Sequence, residues 1–490
     1  MKPNFLLSTP FALFVLVIMV VVFQSCDFQF KTSSAFAKRP LNFVIIFVDD
    51  MGYGDLSSYG HPTIDTPHLD RMAQEGQKWT QFYVAASVCT PSRAALLTGR
   101  LPLRSGMAGG SNRVLFPNSA HGLAASEITL AEQLKAQGYA TGMVGKWHLG
   151  HKKEFLPTNH GFDHYYGIPY SNDMNRDSDV LPDVGYWEMW TDTYKELTPQ
   201  GFDIPILLGT ELVEQPANQY TLTQRYTQEA MDWIRAHKEQ PFFLYLAHNL
   251  PHVPLFVSEA FEGRSERGLY GDVIEEIDHG VGNLLQVLRE ENLAENTIVL
   301  FTSDNGPWLP TGISGGSAGL LQNGKGSTWE GGFRVPCIFW GPKTIQPKVV
   351  SDLGTTLDIF TTFSKLAGAT VHNDRYYDGV DLSSVLLDGN ESPRNEVFYY
   401  FKRELYAVRV GAFKAHFVTE DVYVPTPNKT YHDPPLLFNL NEDPSERFNI
   451  ADQYPEVIKH IQEITAKHKK NMHPGPDLLK KRGQSHEVAY

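Results

Sequence analysis

The feature that most constrains this chain is a set of short, unbroken apolar runs, several of which stop at polar, glycine-bearing turns. Residues 42–48 (NFVIIFV) end in Asp49-Asp50 and the turn Met51-Gly52-Tyr53-Gly54. Residues 140–144, 242–246 and 297–302 (TIVLFT) are further runs, the last ending in Ser303-Asp304-Asn305-Gly306. A run that is apolar at nearly every position, without polar alternation, has no solvent face, so it belongs to a strand covered on both sides. Segments of helical character lie between the runs, at residues 67–75, 129–137, 221–237 and 272–290. In the last two, Leu222, Tyr226, Ala230, Trp233 and Ile234, and then Val273, Ile277, Val281, Leu284 and Leu288, fall on single faces. This alternation predicts an α/β fold with a large, mostly parallel sheet flanked by helices. Ligands of such sheets bind beyond the carboxyl ends of the strands. Polar motifs follow the strand ends at Val48, Leu246 and Thr302.

The pattern changes near residue 385. Residues 397–401, 405–410, 412–418 and 436–440 read as successive strands with Gly411 as a tight turn, and residues 455–468 as a closing helix. We therefore expect a catalytic α/β domain over 38–385 and a smaller C-terminal α+β subdomain, with an antiparallel sheet, over 386–490. The tail from Pro474 is polar and is expected to fray. Residues 172–219 are rich in Trp, Tyr, Asp and Pro without a period, which predicts a functional or disordered loop.

At the N-terminus, Lys2 and the apolar run from Phe11 to Phe23 read as an export signal over residues 1–37. A membrane anchor is the alternative, but the run is short of the ~20 residues a span needs. Ala35-Phe36-Ala37 fits a cleavage site. Phe23-Gln24-Ser25-Cys26 instead resembles a lipoprotein signal that would leave lipid on Cys26. The expected location is outside the cytoplasm: periplasmic or secreted, lipid-anchored if Cys26 is processed, lysosomal if the host is eukaryotic. The sequons Asn390-Glu391-Ser392 and Asn428-Lys429-Thr430 matter only in that last case. A net charge of −14 offers no global basic field for nucleic acid. It leaves room for a small anionic substrate, which needs only a local cluster of cations. Nothing in the sequence sets an oligomeric state.

Of three cysteines, Cys26 lies in the signal region and Cys337 in an apolar strand-like stretch, where it reads as a buried small hydrophobe. No disulfide framework is present. Cys89 is different. It opens Cys89-Thr90-Pro91-Ser92-Arg93, with Thr90 as a plausible cap, Pro91 as a first helical residue and a helix running on to Gly99. Cys89 is thus expected at a helix N-terminus, which favours anions, with Arg93 one turn on.

Residues 89–100, Cys-Thr-Pro-Ser-Arg-Ala-Ala-Leu-Leu-Thr-Gly-Arg, resemble the signature of the sulfatase family. A second family signature is matched by residues 138–150, Gly-Tyr-Ala-Thr-Gly-Met-Val-Gly-Lys-Trp-His-Leu-Gly. The resemblance runs from about residue 42 through the C-terminal region. Gly60-His61-Pro62 and residues 167–171 point to the arylsulfatase A-like branch, and residues 437–444 resemble the family's late strand and turn. It implies an alkaline-phosphatase-like fold and an enzyme that hydrolyses sulfate esters. Cys89 would be oxidised to formylglycine (3-oxoalanine) by a separate formylglycine-generating enzyme. Asp49, Asp50, Asp304 and Asn305, with residue 89, would hold a divalent metal. Their hard oxygens suit Ca²⁺, with Mg²⁺ also compatible.

The resemblance also assigns Lys146, His148, Ser171, His252 and Lys325 to the site, His252 being favoured over His248 because Val253-Pro254 follows it. Arg93, Lys146 and Lys325 would neutralise sulfuryl oxygens. A hydrated formylglycine has two hydroxyls, one to attack sulfur and one whose deprotonation expels sulfate. His252, with Lys325, is expected to protonate the leaving oxygen, and His148 to act as base. Lys146, Ser171, His252 and Lys325 would bind the substrate, a sulfated small molecule, glycan or lipid. Two other readings remain: a phosphate or phosphonate ester hydrolase of the same superfamily, and a catalytically inactive protein that binds sulfated glycans.

Overall fold

The computed structural model describes residues 39–424 and 427–483. The export-signal reading, with Cys26, lies outside these residues. The apolar runs pair into an eleven-stranded sheet. In chain order its strands are β1 (Asn42–Val48), β2 (Gln77–Tyr83), β3 (Ala140–Gly145), β4 (His164–Gly167), β5 (Ile206–Leu208), β6 (Glu211–Glu214), β7 (Phe242–Ala247), β8 (Thr297–Ser303), β9 (Arg334–Trp340), β10 (Lys348–Val350) and β11 (Gly354–Thr355). The spatial order is β10-β2-β9-β8-β1-β7-β3-β4-β5-β6, with β11 beside β2. The centre, β8-β1-β7-β3-β4, is parallel. On one side β9 runs antiparallel to both β8 and β2, and on the other β5 and β6 form an antiparallel hairpin. The sheet is therefore mixed, with its parallel part where the functional turns emerge. The hairpin comes from the segment read as a loop, residues 172–219, which also carries the short helix Tyr186–Thr191.

The principal helices are α1 (Pro67–Glu75), α2 (Cys89–Thr98), α3 (Leu222–Ala236), α4 (Leu269–Glu290), α5 (Leu357–Leu366) and α6 (Pro455–Asn471). β1 explains why both faces of the sheet are covered. Its Val44, Ile46 and Val48 join a core with Leu69 and Met72 of α1, Tyr226 and Trp233 of α3, and Val273 and Ile277 of α4. Its Phe43, Ile45 and Phe47 face the other way, into a core with Ala94, Leu96 and Leu97 of α2 and Ile359 and Phe360 of α5. Each such side chain, fully buried, contributes about 1.5–3 kcal/mol, so neither face tolerates a polar row. Cys337 lies fully buried in β9.

The C-terminal residues form a second, antiparallel sheet in sequence order: β12 (Glu396–Phe401), β13 (Glu404–Val410), β14 (Phe413–Glu420) and β15 (Lys429–Asn439). Gly411, at φ 55°, makes the turn between β13 and β14. β15 is longer than residues 436–440. Its first half carries His432, Asp433, Pro434 and Pro435 and is largely exposed, so no apolar alternation marks it; proline is tolerated there because the strand is an edge. Val408, Ala415 and Leu437 pack against Ile458 and Ile461 of α6 and against Ala95 of α2. The tail does not fray at Pro474, contrary to expectation. Gly475 N–H donates to Leu103 O (2.8 Å), Leu478 N–H to Gly106 O (3.1 Å), and Leu479 is fully buried. Two leucines in a polar stretch, Leu478 half-buried and Leu479 fully buried in the same core, supply the anchor, which composition hides. Among the described residues, no helix is long and apolar enough to cross a membrane.

Candidate active site

The parallel pairing of β1 with β8 sets Val48 opposite Ser303, so Asp49-Asp50 and Asp304-Asn305 leave the sheet side by side. The turn is tied across the strands: Asp50 N–H donates to Asp304 Oδ1 (3.2 Å) and Met51 N–H to Ser303 Oγ (3.0 Å). Asp50 sits at φ 67°, a left-handed conformation that a non-glycine residue holds only when its surroundings impose it.

Helix α2 points its N-terminus at this turn. It starts at Cys89, not at Pro91, and the residue before it is Val88, extended. Thr90 is not the cap: its hydroxyl donates to His148 O (3.0 Å) and accepts from Leu115 N–H (3.1 Å). Cys89 Sγ lies 3.5 Å from Asp49 Oδ1. Burial first, and then Asp49, push its thiol well above the ordinary range.

Three cations face the carboxylates. Arg93 Nη2 donates to Asp49 Oδ2 (2.7 Å) and lies 2.9 Å from Asp304 Oδ2, its Nε donates to Asp304 Oδ2 (3.0 Å), and its Nη1 donates to Lys146 O (2.9 Å). Every nitrogen of this fully buried guanidinium is thus held by protein. Lys146 Nζ bridges Asp49 Oδ2 (2.5 Å) and Ser171 Oγ (3.0 Å). Lys325 Nζ lies 2.8 Å from both Asp50 oxygens. Burial and the neighbouring Asp49 raise Asp304 to about 7, and burial raises Asp50, while Asp49, which burial would also raise, is held low by Lys146 and Arg93.

Carboxylates crowded this way repel one another unless a further cation stands among them. Ligand atoms of Asp49, Asp50, Cys89 and His252 all lie within 4.8 Å of one another. Asn305 donates its amide N–H to Asp50 Oδ1 (2.7 Å), while its buried Oδ1 has no hydrogen-bond partner among the described residues. An oxygen-rich cavity with an orphaned amide oxygen fits a hard divalent cation.

The imidazoles are set by backbone carbonyls. His148 Nε2 lies 2.9 Å from Leu115 O, which can only accept, so Nε2 carries the proton and the unpartnered Nδ1 holds a lone pair. Burial, then Lys146, lowers its pKa well below the usual histidine value. His252 Nδ1 donates to Val253 O, which leaves Nε2 facing Asp50, 3.6 Å away. Burial and Lys325 lower His252 to about 3. His248 is also buried and lowered to about 4, but packs beside Tyr226 and is outside the cluster.

A cavity of about 340 Å³ opens onto Cys89, His148, Ser171, His252 and Lys325. Sequence reading did not single out several of its other walls: Arg113, Asp173, Tyr186, Trp187, Trp308 and Arg482. Trp308 follows Asp304-Asn305-Gly306-Pro307, so its nearness to a strand-end motif was a signal. Arg482 had none, because only the docking of the tail brings it here.

Residues 41–369 match the family model described as Sulfatase, and residues 392–489 the one described as C-terminal region of aryl-sulfatase. The chain is 43% identical over 471 residues to arylsulfatase A of Bos taurus, covering 90% of this chain and 91% of that one. It is 40% identical over 479 residues to N-acetylgalactosamine-6-sulfatase of Canis lupus familiaris, covering 91% and 89%. Among solved structures, the PsFucS1 sulfatase from Pseudoalteromonas sp. superposes with a TM-score of 0.79 at 28% identity, covering 89% of this chain and 92% of that chain.

Proposed function

Because this chain belongs to the sulfatase family and is a sulfatase enzyme, we propose that it cleaves sulfate monoesters with residue 89, oxidised from cysteine to formylglycine, beside a divalent cation. The observation that carries this reading is the placement of Cys89. It is the first residue of α2, 3.5 Å from Asp49 and within one cluster of ligand atoms with Asp50 and His252.

Asp49, Asp50, Asp304 and Asn305 would hold the cation, Ca²⁺ or Mg²⁺ by their oxygen donors. When bound, it supplies positive charge to the sulfuryl and residue-89 oxygens. The hydrated aldehyde supplies two hydroxyls on one carbon, one for attack on sulfur and one for release of sulfate. The protein's own groups do the rest. Lys146 and Lys325 bring positive charge to the sulfate, and Ser171 fixes Lys146. Arg93 holds Asp49 and Asp304 in place. His148 Nδ1, with its free lone pair, takes the proton from the residue-89 hydroxyl that must release sulfate. His252 Nε2 carries the proton to the leaving oxygen; the substrate's negative charge favours the protonated ring. Residues 38–385 carry this machinery, and 386–490 form the subdomain that braces it: Tyr423 O–H donates to Lys325 O (2.9 Å). The segment before residue 38 exports the chain, and maturation requires a formylglycine-generating enzyme.

Hydrolysis of an aryl sulfate and the matching aryl phosphate tests the reading. We expect sulfate turnover to dominate. A large preference for phosphate contradicts it, and binding of sulfated glycan without any turnover would mark a non-catalytic protein.

A further inference from the structure

The cations deepest in the site are already paired with carboxylates, but two at its mouth are not. Arg113 and Arg482 both line the cavity that opens onto Cys89 and Lys325, and both are exposed. Among the described residues, neither has a carboxylate partner, although the chain carries a net charge of −14. Among the described residues, Asp173 is the one carboxylate lining the same cavity, against two guanidinium groups.

Both arginines are placed rather than loose. Arg113 Nη1 is 3.0 Å from where a β-carbon on Gly326 would stand, so it lies over the residue after Lys325. Arg482 comes from the docked tail. Ala120 N–H donates to Lys481 O (3.0 Å) and Gly483 N–H to Asn118 O (2.6 Å), which clamp the backbone on each side of it. Its guanidinium stacks 3.8 Å from the centre of the Phe116 ring and donates from Nη2 to Asn112 Oδ1 (3.0 Å). That leaves further donors on an exposed side chain that lines the cavity. Nearby, Trp187 is 49% exposed and stands 5.7 Å from Trp308, whose ring is 4.5 Å from Lys325 Nζ. These rings give a face for a flat or sugar-like alcohol half, in a volume that suits one or two rings.

We propose that Arg113 and Arg482 form a second anion subsite, so the substrates this site is built for are sulfate esters whose alcohol half carries a further negative charge, a carboxylate or a second sulfate. The inference rests on the sulfatase reading above and adds the class of substrate. Guanidinium groups bind such oxygens through paired N–H donors, an advantage that a neutral isostere does not share.

The test uses the mature enzyme and the 2-, 3- and 4-isomers of sulfooxybenzoate, each with its neutral sulfooxybenzamide. Dividing variant by parent kcat/KM cancels the intrinsic reactivity of each ester. In Arg482→Gln and, separately, Arg113→Gln, the preference for the charged member of at least one pair should fall roughly fivefold or more, mainly through KM. Arg482→Lys should keep part of that preference. An unchanged ratio across all three isomers in either variant overturns the proposal. Failure of the parent enzyme to release sulfate from any ester would instead overturn the sulfatase reading.

Discussion

At residue 89 the proposed chemistry depends on one substituent. A serine there offers a single hydroxyl where a hydrated aldehyde offers two, so it can accept a sulfuryl group without a route to release it. Cys89→Ser is expected to lose roughly a thousandfold or more in steady-state turnover, leaving at most one sulfate per chain; a rapid-quench assay against protein concentration checks this. Asn305 matters for a different reason, its buried Oδ1 being without a partner. Asn305→Ala should raise the Ca²⁺ or Mg²⁺ concentration needed for half-maximal activity roughly 10–100-fold, measured by metal titration after chelation; an unchanged requirement would remove Asn305 from the cation site. The acidic pair after one apolar run, Asp-Asn after another, and cysteine and arginine one turn apart are visible in the chain, but it was the resemblance to the sulfatase family that set them, and Lys146, His148, Ser171, His252 and Lys325, apart from ordinary turn and loop residues. Arg113 and Arg482 were not legible, because a lone side chain means nothing until folding supplies its neighbours.

At the scale of elements, the apolar runs were legible for a physical reason. β1, β7 and β8 are buried on both faces, so their central positions are constrained to be apolar, and the polar residues Asn42, Thr297, Thr302 and Ser303 fall at their ends. The first half of β15 is an edge with its side chains in solvent, and no such constraint writes it into the sequence. The tail is the opposite case, with Leu479 fully buried and Leu478 half-buried fixing a polar segment that also carries Arg482. Leu479→Ala should cost about 2–5 kcal/mol by leaving a cavity, read as a lowered urea midpoint. If the tail unlatches locally before global unfolding, proteolysis near residues 474–483 will increase at unchanged midpoint.

At the scale of the molecule, the two sheets are joined by a buried charge network. Glu330, beside the loop that carries Lys325, accepts from Tyr83 O–H (2.6 Å) of β2 and from Tyr399 O–H (2.8 Å) and Lys414 Nζ (3.1 Å) of the second sheet. Its N–H donates to Glu446 Oε2 (2.7 Å), which Lys414 and His416 flank. Burial would raise Glu330, but Lys414 and Arg409 hold it down to about 2, below its ordinary 4.5. A carboxyl lowered on folding stabilises the native state fully above pH 4.5, and that contribution is lost as pH falls towards 2. Glu330→Gln should therefore destabilise by about 3 kcal/mol at neutral pH, since it removes one of the two carboxylates facing Lys414 and the one facing Arg409. The gap from the parent protein should narrow below pH 4.5, as thermal melts across pH will report; a gap constant from pH 7 to 3 would contradict it. Under the proposed mechanism, assembly of these sheets yields no catalyst until one side chain is oxidised. Mass spectrometry of the peptide containing residue 89, taken from a preparation that hydrolyses aryl sulfate, tests this most directly. The account predicts a species about 18 Da lighter than the thiol form, the aldehyde, captured by a hydrazide probe. An intact Cys89 thiol throughout an active preparation would contradict it.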